Sequence, residues 1–350
     1  RNVANSAGLH TIPGTNDPVK SLKDVEKFAD KHGYPIMIKA AMGGGGRGMR
    51  IVKRKEELRE AYERARSEAN QSFGDDELYV EKMIVNPKHI EVQILADKHG
   101  NVMHLFERDC SVQRRNQKVI EFAPSITLSQ ERRKEICEAA VNLAKSVNYY
   151  NAGTVEFLVT EDDFYFVEVN PRVQVEHTVT EMITGVDIVQ SQIQIAEGKD
   201  LYNDLELPKQ EELTSQGIAI QCRITTEDPE NNFMPDTGKL ETYRSPGGFG
   251  VRLDGGNVYA GAVITPFYDS LLVKACVQAR NFKEAIKRMN RVLNEFRIRG
   301  VKTNIKFMRN VLNHPVFVAG DARTTFIDNT PELFEFNRSS NNNNQLLKYI

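Results

Sequence analysis

Two glutamates twelve positions apart in one short hairpin constrain this chain more than any other feature. Gly153-Thr154-Val155-Glu156-Phe157-Leu158-Val159 and Phe164-Tyr165-Phe166-Val167-Glu168-Val169-Asn170 flank Glu161-Asp162-Asp163. Their β-branched and aromatic residues around an acidic turn read as two strands. Folding the hairpin about Asp162 sets Glu156 opposite Glu168. Like charges directly opposed destabilise a sheet. A positive partner between them, or protonation of one, relieves that cost. A divalent cation carrying nucleotide phosphates fits, because Mg²⁺ takes one or two carboxylates plus phosphate oxygens. Asn170, on the same face as Glu168, offers a third oxygen. A solvent-facing carboxylate pair is the competing reading, since the register can slip by one residue.

The next segment, Asn170-Pro171-Arg172-Val173-Gln174-Val175-Glu176-His177, continues the alternation. If it stays extended, Glu168, Asn170, Arg172, Gln174 and Glu176 form a polar stripe backed by Val169, Val173 and Val175. The stripe then offers metal ligands, a fixed cation, an amide and a further carboxylate. A small anion could sit there beside a metal-bound phosphate, with a base at hand. A half-buried strand with one wet face shows similar alternation.

Upstream, Gly43-Gly44-Gly45-Gly46-Arg47-Gly48 lies between expected strands at 35–40 and 49–53. Glycines let a backbone approach phosphate oxygens closely. The spacing is neither GxxxxGK[ST] nor GxGxxG, so neither a P-loop nor a dinucleotide fold is indicated. A mobile surface loop is the plain alternative. Lys39, inside an apolar strand, needs a partner for its charge, and a phosphate suits it.

At 350 residues the chain has room for two domains. A net charge of −2 argues against a nucleic-acid partner. Cys110, Cys137, Cys222 and Cys276 are widely spaced without a CxxC, as expected of reduced structural thiols in a reducing compartment. No apolar run approaches the roughly 20 residues of a membrane span, and no signal or transit peptide is visible. The first residue is Arg1, not Met, which leaves room for a missing start and a lost targeting segment.

The pattern predicts a surface helix over 55–72, a strand at 78–83, and a hairpin pairing 89–97 with 102–108 through a turn at 99–101. Helices are expected over 129–147, with Ser129 as N-cap, and over 178–197. A polar connector at 204–216 precedes short strands through 217–279. Helices at about 282–296 and 303–313 follow, and an Asn/Ser-rich tail, 337–344, reads as flexible.

These segments together resemble the ATP-grasp enzymes, and among them biotin carboxylase. The resemblance rests on Ile38-Lys39-Ala40 with the glycine loop, Glu81-Lys82, Asn86 to Gln93, Glu107 to Ser111, Gln113-Arg114-Arg115 and Asn170 to His177. Cys222-Arg223-Ile224, Glu227-Asp228-Pro229 and Pro246 to Arg252 resemble the C-terminal domain of that family. The match runs over roughly 1–335. It implies an α+β chain: an ATP-grasp domain at 1–203 with a glycine-rich lid at about 11–83, a linker at 204–216, a mixed α/β biotin carboxylase C-terminal domain at 217–336, and a linker at 337–350 to a following domain. Three stretches lean toward the pyruvate carboxylases: Asn151 to Leu158, Ile224 to Gly238, and the ending from Thr330 to Phe334 with Leu346 to Ile350.

By this resemblance Lys39 and the lid glycines Gly43, Gly44, Gly45 and Gly46 contact ATP phosphates. Glu81, Lys82, Met83 and Ile84 hold adenine, and His89, Gln113, Asn116 and Leu158 complete the nucleotide site. Glu156, Glu168 and Asn170 bind Mg²⁺ or Mn²⁺. Lys118, Arg172, Gln174, Val175 and Glu176 cradle bicarbonate, with Glu176 as base, and Arg223 steadies the biotin enolate. Biotin itself would arrive on a separate carboxyl carrier domain, and a carboxyltransferase domain would use the product. A homo-oligomer, dimer or tetramer, is implied, with acetyl-CoA as an effector and a cytoplasmic location, or the mitochondrial matrix in a eukaryote.

Two features depart from the family pattern. Asn116 stands where His is usual, and Asn cannot carry charge. The pattern's N-terminal subdomain, with a nucleotide-contacting Lys, is expected to be missing. Rival readings are the biotin carboxylase part of an acetyl-CoA or propionyl-CoA carboxylase, an ATP-grasp carboxylate–amine ligase, and a non-catalytic nucleotide-binding module.

Overall fold

The computed structural model describes residues 2–43, 48–256 and 258–336. A short helix, α1 (Asn2–Ser6), leads to α2 (Leu22–His32), β1 (Ile36–Ala40), β2 (Met49–Val52), α3 (Leu58–Phe73) and β3 (Leu78–Lys82). The strands pair antiparallel in the order β2-β1-β3. Alternate residues Ile36, Ile38 and Ala40 point inward and meet Val25, Phe28, Tyr62 and Ala65 of the two helices. This unit therefore has its own core, separate from the main sheet. Gly48, at φ +74°, turns the chain back into β2, and its carbonyl accepts from Ala40 N at 2.8 Å.

The remaining chain is built on one eight-stranded antiparallel sheet. Its strands include β4 (Lys88–Ala96), β5 (Val102–Arg114), β6 (Gln117–Ala123), β7 (Asn151–Val159), β8 (Phe164–Asn170) and β9 (Ile218–Thr225). The order runs Val251–Gly255, Leu271–Ala279, β9, β6, β5, β4, β7, β8. The sheet is continuous across the polar connector, because β9 pairs with β6. One face of β4 and β7 carries Ile90, Val92, Val155 and Phe157, packed on Ile136, Ala140 and Leu143 of α4 (Gln130–Ser146). Each such side chain contributes on the order of 1.5–3 kcal/mol on burial. Ser129 caps α4 as expected, its Oγ accepting from Arg132 N at 3.1 Å. The other face of the same strands is polar, and the site lies there.

Several expectations need correction. Residues 171–176 leave the strand direction and lead into α5 (His177–Thr184). The polar stripe is therefore not one extended ladder beyond Asn170. The helix expected over 178–197 is two helices: Gly185, left-handed at φ +74°, ends α5, and Asp187 Oδ1 accepts from Gln190 N to start α6 (Ile188–Ala196). Strand β5 runs on to Arg114 and turns into β6, a strand the sequence reading did not separate. Helix α2 was also not foreseen. Helices α7 (Phe282–Glu295) and α8 (Ile305–Asn313) fall where they were expected and cover the β9 end of the sheet. The tail at 337–344 lies outside the described residues.

Candidate active site

Register places the charged residues in rows. Glu91 on β4 faces Arg108 on β5 and Glu156 on β7, and Glu156 faces Glu168 on β8. Gln93, Thr154 and Asn170 form the next row. The expected opposition of Glu156 and Glu168 is present, and a β-bulge produces it. Near the turn Phe157 pairs with Phe166, so a regular ladder would bring Val167 opposite Glu156. The bulge leaves Val167 unpaired and brings Glu168 there instead.

Three carboxylates side by side are stable only with compensating charge. Arg108, with no exposed surface, donates to Glu91 Oε1 at 2.5 Å, to Gln93 and Thr180 at 2.7 and 2.9 Å, and to Thr154 and Gln174 at 3.2 Å. Lys118 reaches in from β6, with Nζ at 2.5 Å from Glu91, 3.0 Å from Glu156 and 2.6 Å from Glu176. Burial would lower the Lys118 pKa, but Glu91, Cys110, Glu176 and Glu156 raise it above the ordinary value. Burial would raise the Glu91 pKa, but Lys118 and Arg108 bring it down to about 2. At Glu156 burial likewise acts upward, and neighbouring His89, Lys118 and Gln174 hold the carboxyl well below its usual range.

The segment after β8 closes over this face. Gln174 accepts from Arg108 through Oε1 and donates through Nε2 to Glu156 Oε1 at 3.0 Å. Glu176, 2% exposed at the start of α5, receives Lys118 on one oxygen and Arg223 Nη2 on the other at 3.0 Å. Arg223 comes from β9, and its Nε donates to Glu121 Oε1 at 2.6 Å. Burial would lower the Arg223 pKa, and Glu121 and Glu176 raise it above its ordinary value. Thus Lys118, Gln174, Glu176, Glu156 and Arg223 converge from four separate stretches of sequence.

Several other expected residues make their contacts outside that cluster. Arg172 is exposed and donates to Val173 O at 3.1 Å and Asn170 Oδ1 at 3.5 Å. Val175 is exposed, and its carbonyl accepts from Lys274 at 3.1 Å. Lys39 finds a protein partner in Glu81 of β3. Lys82 donates to the carbonyls of Gly33 and Tyr34 at 3.1 and 3.0 Å. Met83 and Ile84 follow β3 without regular structure, and Gly43 precedes the loop. Gly44, Gly45 and Gly46 lie outside the described residues. Gln113, opposite Lys118, donates to Cys110 O at 2.9 Å. Arg115 and Asn116 form the two-residue β5–β6 turn at φ +49° and +62°. Asn is among the non-glycine residues that adopt the left-handed conformation most readily, so its presence in the turn is locally favourable. His89 and Leu158 face one another across β4 and β7. Sequence reasoning missed Glu91, Arg108, Glu121 and Lys274 as site-forming residues.

The oxygen-rich set Glu156, Glu168 and Asn170 fits a hard divalent cation. Asn170 Nδ2 lies 3.1 Å from Glu156 and 3.4 Å from Glu168, holding both acids to one place. Taking the amide as a ligand requires it to turn its oxygen inward. His89 Nε2 is buried and lies 3.1 Å from Glu156 Oε2, which places the imidazole at the edge of this carboxylate set. His89, Glu91 and Glu156 also cluster, as do Glu91, Cys110 and Glu176. Both groups depend on Glu91, whose oxygens already serve Arg108 and Lys118, so neither is the better cation site.

The family model for the carbamoyl-phosphate synthase L chain, ATP binding domain, matches residues 1–204. That for the biotin carboxylase C-terminal domain matches 221–329. The biotin carboxylase domain of Hydrogenobacter thermophilus 2-oxoglutarate carboxylase, solved as a dimer with MgADP, ADP and bicarbonate, is 46% identical to this chain. The match covers 96% of this chain and 73% of that one, with a TM-score of 0.90. The chain belongs to the biotin carboxylase family. Its fold is accordingly ATP-grasp, α+β with antiparallel sheets. The chain is also 62% identical to pyruvate carboxylase of Bacillus subtilis, over the whole chain and 31% of the relative. A pyruvate carboxylase structure from Rhizobium etli, with the allosteric activator acetyl coenzyme-A, gives 51% identity and a TM-score of 0.91, covering 100% of this chain and 31% of that one. The chain thus spans about a third of the length of such curated relatives. No described helix is long and apolar enough to cross a membrane.

Proposed function

We propose that this chain carboxylates biotin with ATP and bicarbonate, as the first half-reaction of a pyruvate carboxylase that converts pyruvate to oxaloacetate. The observation that carries this reading is Glu176, a buried carboxylate held between Lys118 and Arg223 beside the Glu156 cluster. Glu156, Glu168 and Asn170 would hold Mg²⁺ or Mn²⁺, which when bound offsets phosphate charge. Residues 11–83 act as the lid, with Lys39 and Gly43 to Gly46 on the phosphates and Glu81 to Ile84 at the adenine. His89, Gln113, Asn116 and Leu158 line the rest of the nucleotide site. Residues 217–336 form the C-terminal domain.

Glu176 takes the proton of bicarbonate, which is positioned by Lys118, Arg172, Gln174 and Val175. The bicarbonate oxygen attacks the γ-phosphorus, the bond to the bridging oxygen breaks, and ADP leaves. Carboxyphosphate splits into CO₂ and phosphate, and that phosphate removes the N1 proton of biotin. The biotin enolate, its oxygen beside Arg223, then attacks CO₂ through N1. Arg172 must swing from its present contacts to join the cradle.

Likeness over the whole chain to pyruvate carboxylases supports the carrier and carboxyltransferase domains as partners. The dimeric relative supports a homo-oligomer, dimer or tetramer, and the Rhizobium etli structure supports an acetyl-CoA response. Four buried free thiols fit a reducing cytoplasm or matrix. The test is ADP release by the full-length polypeptide with and without bicarbonate and free biotin. Both should stimulate it, and Glu176→Gln should lower bicarbonate-dependent ATP cleavage by at least about 100-fold while nucleotide binding persists. Parental turnover in that variant removes Glu176 from the mechanism.

A further inference from the structure

We propose that Glu121, wholly buried in β6, is a positioning residue that fixes the Arg223 guanidinium for the biotin step. The inference rests on the reading of Arg223 given above. Glu121 faces Gln221 across the β6–β9 pairing, and Arg223 lies two residues further along the same face of β9. Both carboxylate oxygens are committed: Oε1 accepts from Arg223 Nε at 2.6 Å and Oε2 from Gln221 Nε2 at 2.9 Å. Gln221 is held in turn by Thr178 Oγ1, which donates to its Oε1. The carboxylate is therefore fixed on two strands and on α5.

The consequence lies at the guanidinium. Glu121 Oε1 sits 2.6 Å from both Arg223 Nε and Nη2, and Nη2 also reaches Glu176 Oε2 at 3.0 Å. Its Nη1 makes no hydrogen bond among the described residues and remains for a ligand oxygen. A guanidinium not held at Nε is free to rotate and grip Glu176 through two nitrogens, a favoured fork geometry. That rearrangement would tie up the base and withdraw the donor aimed at biotin. Glu121 thus keeps Arg223 shared between two acids instead of paired with one.

The experiment compares Glu121→Gln, Glu121→Asp and Arg223→Ala in the full-length polypeptide, reading free biotin carboxylated per ATP cleaved. Glu121→Gln is nearly isosteric but lacks the charge. It should lower this ratio by about tenfold, with the biotin-dependent kcat/KM falling more than that for ATP. Glu121→Asp, charged but shorter, should lose about threefold. A purely structural role would instead lower both activities together with the melting temperature. Glu121→Gln at the parental ratio, with Arg223→Ala impaired, overturns the positioning role and leaves the reading of Arg223 standing. Arg223→Ala at the parental ratio overturns both. Should Glu121→Gln not fold, a parental ratio in Glu121→Asp overturns the proposal.

Discussion

Charge buried without water has to be balanced by neighbours, and this site does so residue by residue. Glu91, Glu121, Glu156 and Glu176 share Arg108, Lys118 and Arg223, so removing any one cation takes a charge partner from at least one acid. Arg108 is the severest case, because its side chain makes five hydrogen bonds and touches no solvent. Arg108→Met keeps the volume but takes the Arg108 donor from Glu91 Oε1, Gln93 and Gln174, while Lys118 still holds Glu91 Oε2. Loss of such a buried partner costs about 3–5 kcal/mol, so the denaturant midpoint should fall sharply. A loss under about 1 kcal/mol, small on the scale of buried-pair removal, would show that the network relaxes around the gap. At this scale the facing of Glu156 and Glu168 was legible by strand alternation, whereas Gln174, Glu176 and Arg223 were brought to the site by the resemblance, since residues 171–176 leave the strand. Arg108, Glu91 and Glu121 were not, because a charged residue in an alternating strand reads as solvent-facing until a second layer covers that face.

Elements were legible where one face is apolar and obscure where the chain bends. The β4 alternation and the Ser129 cap appeared where expected. The bulge at Val167 did not, since no residue type there demands it, and the break at 185–187 hid inside a continuous helical pattern. Strand β5 carries a further consequence. His104, opposite Ile94 and packed at 5.5 Å on Phe106, accepts from Phe106 N through Nδ1. Burial pushes its pKa down to about 4. The folded state thus keeps it neutral, while the unfolded chain takes a proton near pH 6.5. Stability from this group is full above about pH 6.5 and is lost as pH falls toward about 4. Between about pH 7 and 5 the wild type should lose about 1–2 kcal/mol more than His104→Asn, which retains an acceptor. Parallel denaturation profiles for the two proteins across that range would exclude His104 as the cause.

Across the whole molecule, the continuous sheet matters more than the connector. The sequence placed a boundary in the polar stretch at 204–216, where composition changes and residues 197–217 form no helix or strand. Composition cannot reveal that β9 returns to pair with β6 beyond that stretch. Ile120 and Phe122 of β6 share one core with Ile220, Phe282 and Phe317, and Phe122 meets Phe282 at 5.0 Å. The segment at 320–325 also binds the approach to β4: Lys88 Nζ donates to Gly320 O at 2.6 Å, and Thr324 N donates to Pro87 O at 3.0 Å. A chain ended at Gln216 therefore exposes the free edge of β6 together with large apolar side chains. Such an edge pairs readily with other chains, and Lys88 loses its carbonyl partner. The 1–216 chain should elute as aggregate in size-exclusion chromatography and melt without a cooperative transition, whereas the 1–336 chain should melt in one. A monodisperse 1–216 chain with a sigmoidal melt would mean that the ATP-grasp half closes its own core, and that β9 adds to a sheet already complete.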